Sequence, residues 1–465
     1  MRFLILSLWL AIQLAAAGPS WQAEFEATLS KAMSRHNVPG LSVGVIQNGE
    51  VVLAKGYGVR ELTVRKPVTE KTVFGVGSVS KSFTAAVVAA VVADGKLDWN
   101  KPVREYLPWF RMYDPVATEH ITVRDMLTHR SGLPRHDFIR FSTYLSREEL
   151  VRRLRHLEPN KTFRDVYQYN NLMFVTAGYL AGVAAGSTWE DLVRDRIFVP
   201  VGMTNSNTST RDSIQAADFA KPHANGKEQE FYYYQQFGVG PNGAVNSTAE
   251  DMLKYLQMWL DKGKANGRQV LPEDQVNEVF KPVTVVNASA SYSPGWQVGI
   301  HRGHRSISHG GAITGFRAHM ILLPDAKAGI VAMINDEAGL AGDAAHLAAD
   351  YVLGLKPRDI LRPAGNAPRR ASPQPVSGTQ PSKPLVEYTG AYRHPAYGAI
   401  RVDSAEGGTL TVKFDATTVR LKHFHYDTFQ TSMGPVRFVL NEKGQVKEMH
   451  LPLEPAVKPF VFLKE

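Results

Sequence analysis

In the stretch "FGVGSVSKSFTAAVVAAVVADGK", residues 74–96, Ser78 and Lys81 stand three apart at the start of an almost uncharged run. On a helix, residues at i and i+3 share a face, so the amine can reach the hydroxyl. "FTAAVVAAVVA" is apolar on every side, which predicts a central, buried helix. Desolvation there disfavours the charged amine and leaves a neutral one able to take the serine proton. The helix N-terminus also presents backbone donors to an oxyanion forming beside Ser78. The same residues equally spell an ordinary helix start, with Ser78 as N-cap and Lys81 snorkelling from an apolar run. Ser80 is a rival nucleophile but has no lysine three residues on.

Two further elements follow along the chain. "YQYNNLMF" offers a phenol and an amide, Tyr169-x-Asn171, at the start of another apolar helix. "SISHGGAITGF" places His309-Gly310-Gly311 near the end of a strand, where glycines let a substrate backbone approach closely. His301-Arg302-Gly303 also reads His-x-Gly, but it lies in a polar turn between strands and lacks the "AITGF" continuation.

With these three elements in order, the chain resembles the serine β-lactamase-related hydrolases. In pattern it is close to class C β-lactamases, DD-peptidases of the penicillin-binding group and the esterases that share their fold. "LTHRSGLP" (127–134) and "GAVNSTAEDM" (243–252) are similar to recurring family stretches, and the likeness spans roughly residues 25–355. The resemblance implies Ser78 as the acylated nucleophile, Lys81 as its base and Tyr169 as proton relay to the leaving group. Asn171 would orient Lys81 and the substrate amide, and the N–H groups of Ser78 and Ala312 would form the oxyanion hole. Gly310 and Gly311 would line the substrate cleft beside His309. Where many relatives carry a lysine in a Lys-Thr-Gly motif, this chain has His309, largely neutral at pH 7. The expectation is weaker hold on carboxylate-bearing substrates and a lean toward neutral esters or amides.

The elements that must position these residues can be read around them. A helix near Trp21 to His36 precedes a hairpin turned at Asn48-Gly49. Residues from Val73 to about Lys281 are mostly helical, and from Trp296 the period changes to two through "GWQVGI", "RSISHG", "FRAHMILLP" and "AGIVAMIN". "AGDAAHLAADYVLG" then returns to helix. The expected fold is α/β (α+β), β-lactamase/transpeptidase-like: an antiparallel sheet built from both ends and flanked by terminal helices, with a helical lobe beside it. A cleft between the lobes is the natural ligand site.

Residues 1–17 have the charge, apolar core and small-residue cleavage site of a signal peptide, so an exported protein, periplasmic or secreted, is expected, held at the membrane if uncleaved. No stable membrane insertion is expected otherwise. The hydrolase domain is assigned to 18–355 and a Pro-, Ser- and Arg-rich linker to 356–384. Short alternating strands over 385–465 predict an all-β accessory domain, a lipocalin-like barrel or a sandwich.

Composition narrows the function classes. The 465 residues include no cysteine, which removes disulfides, thiolate metal sites and a cysteine nucleophile. The net charge of +9 is dispersed, and its densest parts, the face of Arg152, Arg153 and Arg155 and the linker arginines, read as solvated surface and not as a nucleic-acid site. His423 and His425 share a strand face but find no third ligand nearby, so no metal or cofactor is expected. The aromatic run 231–237 lines the cleft mouth or packs inside. The sequence thus points to a hydrolase of small ester, amide or peptide substrates, with a true β-lactamase or D-Ala-D-Ala carboxypeptidase as the alternative. A non-catalytic scaffold or binding protein on the same fold is the reading from another class.

Overall fold

The computed structural model describes residues 21–141, 145–231, 240–361, 374–405, 407, 409–414 and 417–465. The signal segment, the centre of the linker and most of the aromatic run lie outside the described residues.

The two ends of the first domain meet in one sheet. Helix α1 (Trp21–His36) leads into the hairpin β1 (Gly40–Gln47) and β2 (Glu50–Gly58). Asn48 and Gly49 both take positive φ at its turn, 53° and 83°, as a two-residue hairpin requires. From the other end come β3 (Thr284–Asn287), β4 (Ala290–Ser293), β5 (Trp296–His301), β6 (His304–Ile313), β7 (Phe316–Leu323) and β8 (Ala328–Ile334). Their order is β2-β1-β8-β7-β6-β5-β4-β3, antiparallel throughout. The hairpin β3–β4 went unread in the sequence. Its strands have four residues each and a register irregularity at Ala290–Ser291, too short a pattern for alternation to register.

Both faces of the sheet are covered. On one side of it lie the helical-lobe elements α2 (Ser80–Ala93), α3 (Asn171–Ala185) and α4 (Ala249–Leu260). From Ser80 through Val91 every side chain of α2 is buried, as its all-round apolar character demands. Thr248 caps α4, its hydroxyl accepting from the Asp251 N–H. On the opposite face α5 (Leu340–Val352) packs with α1, where Trp21 stacks on Tyr351 at 5.7 Å, over Leu41, Ile330, Ala332 and Ile334.

The C-terminal strands close into a barrel of eight: β9 (Gly390–His394), β10 (Gly398–Ala405), β11 (Thr409–Phe414), β12 (Thr417–His425), β13 (Thr428–Thr431), β14 (Gly434–Leu440), β15 (Val446–Leu451) and β16 (Phe460–Lys464). Pairing of β9 with β16 seals it, which removes the exposed edges a sandwich would leave. Tyr388, Tyr392, Phe429 and Phe438 pack edge-on inside at 5.0–5.9 Å. The barrel rests on the helical lobe. Arg153, expected on a solvated face, donates instead to the Ala396 carbonyl at 2.9 Å. The ends of the expected linker are also anchored: Arg358 bonds Asp350, Ile360 is buried, and Ser382 bonds Asp427.

The loop that follows Leu127 is tied to a buried carboxylate. Asp125 closes a capping box with Thr122 and accepts from Arg130 at 2.5 Å and from Arg164 at 2.7 Å. It is 0% exposed, so removing it would leave two guanidiniums without the charge they converge on. Asp125→Ala is expected to cost roughly 3 kcal/mol, read as a lower midpoint in chemical unfolding. A wild-type midpoint would show that the arginines find equal partners elsewhere.

Candidate active site

The Ser78–Lys81 pair straddles a junction. Ser78 lies in a single 3₁₀ turn, Gly77–Val79, and α2 begins at Ser80 with no side-chain cap. Ser78 therefore does not serve as the N-cap that a plain helix start would make of it. The rival Ser80 is fully buried and committed: its hydroxyl donates to the Gly77 carbonyl at 2.7 Å and accepts from the Val245 N–H at 2.9 Å.

Lys81 is 0% exposed, an unusual place for an amine unless polar partners surround it. Its Nζ lies 3.1 Å from Ser78 Oγ, 2.8 Å from Asn171 Oδ1 and 2.9 Å from the Asn242 carbonyl. It also stands over the rings of Tyr169 and Phe174, at 4.8 and 5.3 Å from their centroids. Asn171 is the first residue of α3, and Asn170 before it caps the helix through the Met173 N–H. Tyr169, just ahead, thus has its phenol near the Ser78 side chain, and the two line the same cavity. Burial pushes that phenol up to about 12, only partly offset by Ser78 and by Arg135, so it is protonated at neutral pH.

Strand β6 approaches the Ser78 turn as closely as two backbones can. A Cβ on Gly311 would sit 1.9 Å from the Val76 carbonyl oxygen and 3.1 Å from Ser78 N. Gly77, at φ 53°, has no room either, since a Cβ there would meet Ala312 N at 2.7 Å. Glycine at both positions brings the Ser78 and Ala312 backbones together. His309 lies beside them and is buried. Its Nδ1 is 2.6 Å from the Gly310 carbonyl, an acceptor, so Nδ1 carries the hydrogen and Nε2 accepts from Tyr292 Oη at 2.8 Å. Burial and the charge on Lys81 pull this imidazole down to about 3. It is neutral, as the sequence suggested.

These groups border a cavity of about 480 Å³, lined by Ser78, Tyr169, His309 and Ala312 and by groups the sequence reading missed. Arg135 lies over the Tyr169 ring at 5.0 Å, and Arg317 is held by the Ile313 and Phe316 carbonyls, both at 2.8 Å. The charge argument built on position 309 alone was therefore incomplete, because two guanidiniums border the same space. Asp137 is also new. Its Oδ1 accepts from Asn171 Nδ2 at 2.7 Å and its Oδ2 from Arg135 Nε at 2.7 Å. Behind the phenol, His129 packs among Tyr167, Tyr169, Phe174 and Tyr292 at 4.3–5.6 Å. The signal for Arg135 and Asp137 was their place just beyond "LTHRSGLP". Arg317 and His319 show as a polar alternation along β7.

Of the remaining candidates, His301 of the second His-x-Gly is buried against Asp350 at 2.8 Å. Phe231 packs on Phe219 and Phe316. His423 and His425 are parted by a strand irregularity, and no group of three potential metal ligands occurs among the described residues.

A family profile described as Beta-lactamase matches residues 25–353. The chain belongs to the beta-lactamase family. A second profile, a domain of unknown function (DUF3471), matches 374–462, the barrel. This beta-lactamase-family chain is 29% identical over 434 residues to the unguisins hydrolase of Aspergillus campestris, covering 83% of this chain and 78% of that one. It is 27% identical over 354 residues to a D-aminopeptidase of Cereibacter sphaeroides, covering 72% and 64%. The octameric penicillin-binding protein homologue from Pyrococcus abyssi has the same fold, with a TM-score of 0.65 at 20% identity over 95% of this chain and 100% of that one.

Several imidazoles around the cavity are kept neutral by burial. His309 and His346 are drawn down to about 3 and His319 to about 4, while His129 falls well below 6.5. Their unfolded counterparts take up protons near 6.5, so between about 3 and 6.5 the unfolded chain binds more protons and stability falls with falling pH. The expected result is a melting temperature that drops as pH is lowered from 6.5, with a shallower slope in His346→Gln. Equal slopes in the two proteins would show that His346 is not held neutral.

Proposed function

We propose that this chain is an exported serine hydrolase that works through an acyl-enzyme on Ser78, with a small ester, amide or peptide as substrate. The observation that supports it most is the fully buried Lys81 with its Nζ 3.1 Å from Ser78 Oγ. When the amine is neutral, its two hydrogens serve Asn171 Oδ1 and the Asn242 carbonyl. The lone pair is left for the Ser78 hydroxyl, at a distance suited to general-base transfer.

In this reading Ser78 Oγ attacks the substrate carbonyl and its proton passes to Lys81. The oxygen that gains charge lies between the N–H groups of Ser78 and Ala312, each worth about 3 kcal/mol to the transition state. Tyr169, protonated at neutral pH and lining the cavity beside Ser78, hands a proton to the leaving group and recovers one through Lys81. Water then hydrolyses the acyl-enzyme by the same route in reverse. Asn171 holds Lys81 and offers its amide to the substrate. A relative named D-aminopeptidase favours an amide or peptide.

A second reading, a true β-lactamase or D-Ala-D-Ala carboxypeptidase, is favoured by Arg135 and Arg317, which could receive a substrate carboxylate. A non-catalytic scaffold has no use for a buried lysine bonded to a serine that lines an open cavity. Fluorophosphonate is expected to label the protein at Ser78, with Ser78→Ala and Lys81→Met each losing more than about 10³-fold in labelling rate. Labelling of Ser78→Ala at the wild-type rate would end the assignment. Turnover of a p-nitrophenyl ester, a D-amino acid anilide, a D-Ala-D-Ala peptide and nitrocefin, compared side by side, ranks the substrate classes. Fast nitrocefin hydrolysis would favour the second reading.

A further inference from the structure

We propose that the C-terminal barrel is a positioning part of the Ser78 centre, acting through Glu454 on the loop that carries Arg135 and Asp137. The inference rests on the reading of Ser78 given above.

Glu454, just beyond β15, is a charged side chain only 8% exposed. A carboxylate that deep must be hydrogen-bonded. One oxygen accepts the Ala456 N–H at 3.1 Å within the barrel, and the other accepts the His136 N–H at 2.8 Å, 318 residues away in the other domain. His136 needs such a hold because its φ of 45° is one that side chains rarely adopt. Its ring is fixed as well, with Nε2 3.1 Å from the Glu158 carbonyl and its edge against Phe460 of β16 at 5.7 Å.

The residue after this clamp is Asp137, whose carboxylate receives Asn171 Nδ2. That bond decides which way the Asn171 amide faces. With Nδ2 on the carboxylate, Oδ1 is turned to Lys81 Nζ; flipped, the amide would point a donor at the amine and lose both bonds. A continuous path therefore runs from Glu454 through the His136 backbone, Asp137 and Asn171 to Lys81. A second tie runs alongside it. Asn160 Nδ2 donates to the Ala456 carbonyl at 3.3 Å and its Oδ1 accepts from Gln168, the residue before Tyr169, at 2.5 Å. Both ties leave the barrel from the segment 454–456 and end beside groups that contact Ser78.

Arg153 provides a control, because it joins the domains at Ala396 and takes no part in either path. In the full-length protein, Glu454→Ala is expected to slow fluorophosphonate labelling and ester kcat by about tenfold or more, with KM changed less than about threefold. Arg153→Ala should label at the wild-type rate. Asp137→Ala with Glu454→Ala should be no slower than Asp137→Ala alone, since both act through one contact chain. Glu454→Asp withdraws the carboxylate by one methylene and should slow labelling severalfold, so it carries the test if Glu454→Ala does not fold. Wild-type labelling in Glu454→Asp or Glu454→Ala would overturn the proposal. So would equal slowing by Arg153→Ala, or multiplied effects in the double variant. Undiminished labelling of Ser78→Ala would sink the hydrolase assignment instead, whereas Ser78-dependent labelling that ignores Glu454 sinks only this inference.

Discussion

Burying one lysine is the constraint on which the rest of the structure depends. Taking an amine out of water costs several kcal/mol unless acceptors replace the solvent. Those acceptors do not come from the helix that carries Lys81, because its hydroxyls are bonded elsewhere: Ser80 to Gly77 and Val245, Ser82 to Val79 and Tyr255, Thr84 to Pro241 and Trp189. They come from three places: the Ser78 turn, the first residue of α3 and the Asn242 carbonyl. Each place must be held to within a few tenths of an ångström for the bonds to survive. Much of the helical lobe can be read as the means of holding them.

The apolar helix and the close strand answer two halves of that demand. With every residue from Ser80 to Val91 buried, α2 can neither rotate nor slide without opening voids, so the lysine has one position along it. Thr84 and Trp189 reinforce this with a buried bond of 2.9 Å, while Thr84 also donates to Pro241, next to Asn242. Strand β6 then closes the other side, and it can do so only because Gly311 and Gly77 carry no side chain. The sheet matters to the site chiefly through this one contact. Its eight strands give β6 a fixed height against the Ser78 turn.

What the sequence made legible follows the range of the interactions. Ser78 with Lys81 and Tyr169 with Asn171 are local pairs, each straddling the start of a helix, and their short spacing shows which groups can meet. The two-ended sheet was legible because alternation over β5 to β8 and the Asn48-Gly49 turn are strong short-range signals. Tyr292 was not, since it sits on a four-residue strand whose pattern is too brief to recognise. Asp137 and Arg135 were hidden for a different reason. They sit where a loop enters a short 3₁₀ turn, held from outside by Glu454 of the barrel, and no local periodicity reports a partner 318 residues distant. Arg153 misled in the same way: a run of arginines on a helix reads as solvated until another domain is placed against it.

The charges around Ser78 are arranged by depth. His129 and His309 stand nearest the amine, and each is driven toward neutrality by burial first and by Lys81 second. A cation at 309 would add like charge beside an amine that has no water to screen it. Histidine, bonded through both nitrogens to Gly310 and Tyr292, fills the position without that charge. Positive charge returns only farther out, on Arg135, which is exposed, and Arg317, which is half-buried. Each has an acid close by, Asp137 at 2.7 Å for the first and Glu337 at 3.9 Å for the second. With histidine at 309 the cavity still holds cations, and they stand at its rim on Arg135 and Arg317. A neutral ring at 309 spares the buried amine a second like charge beside it, and recognition of an anionic group works as well at the rim as at the floor.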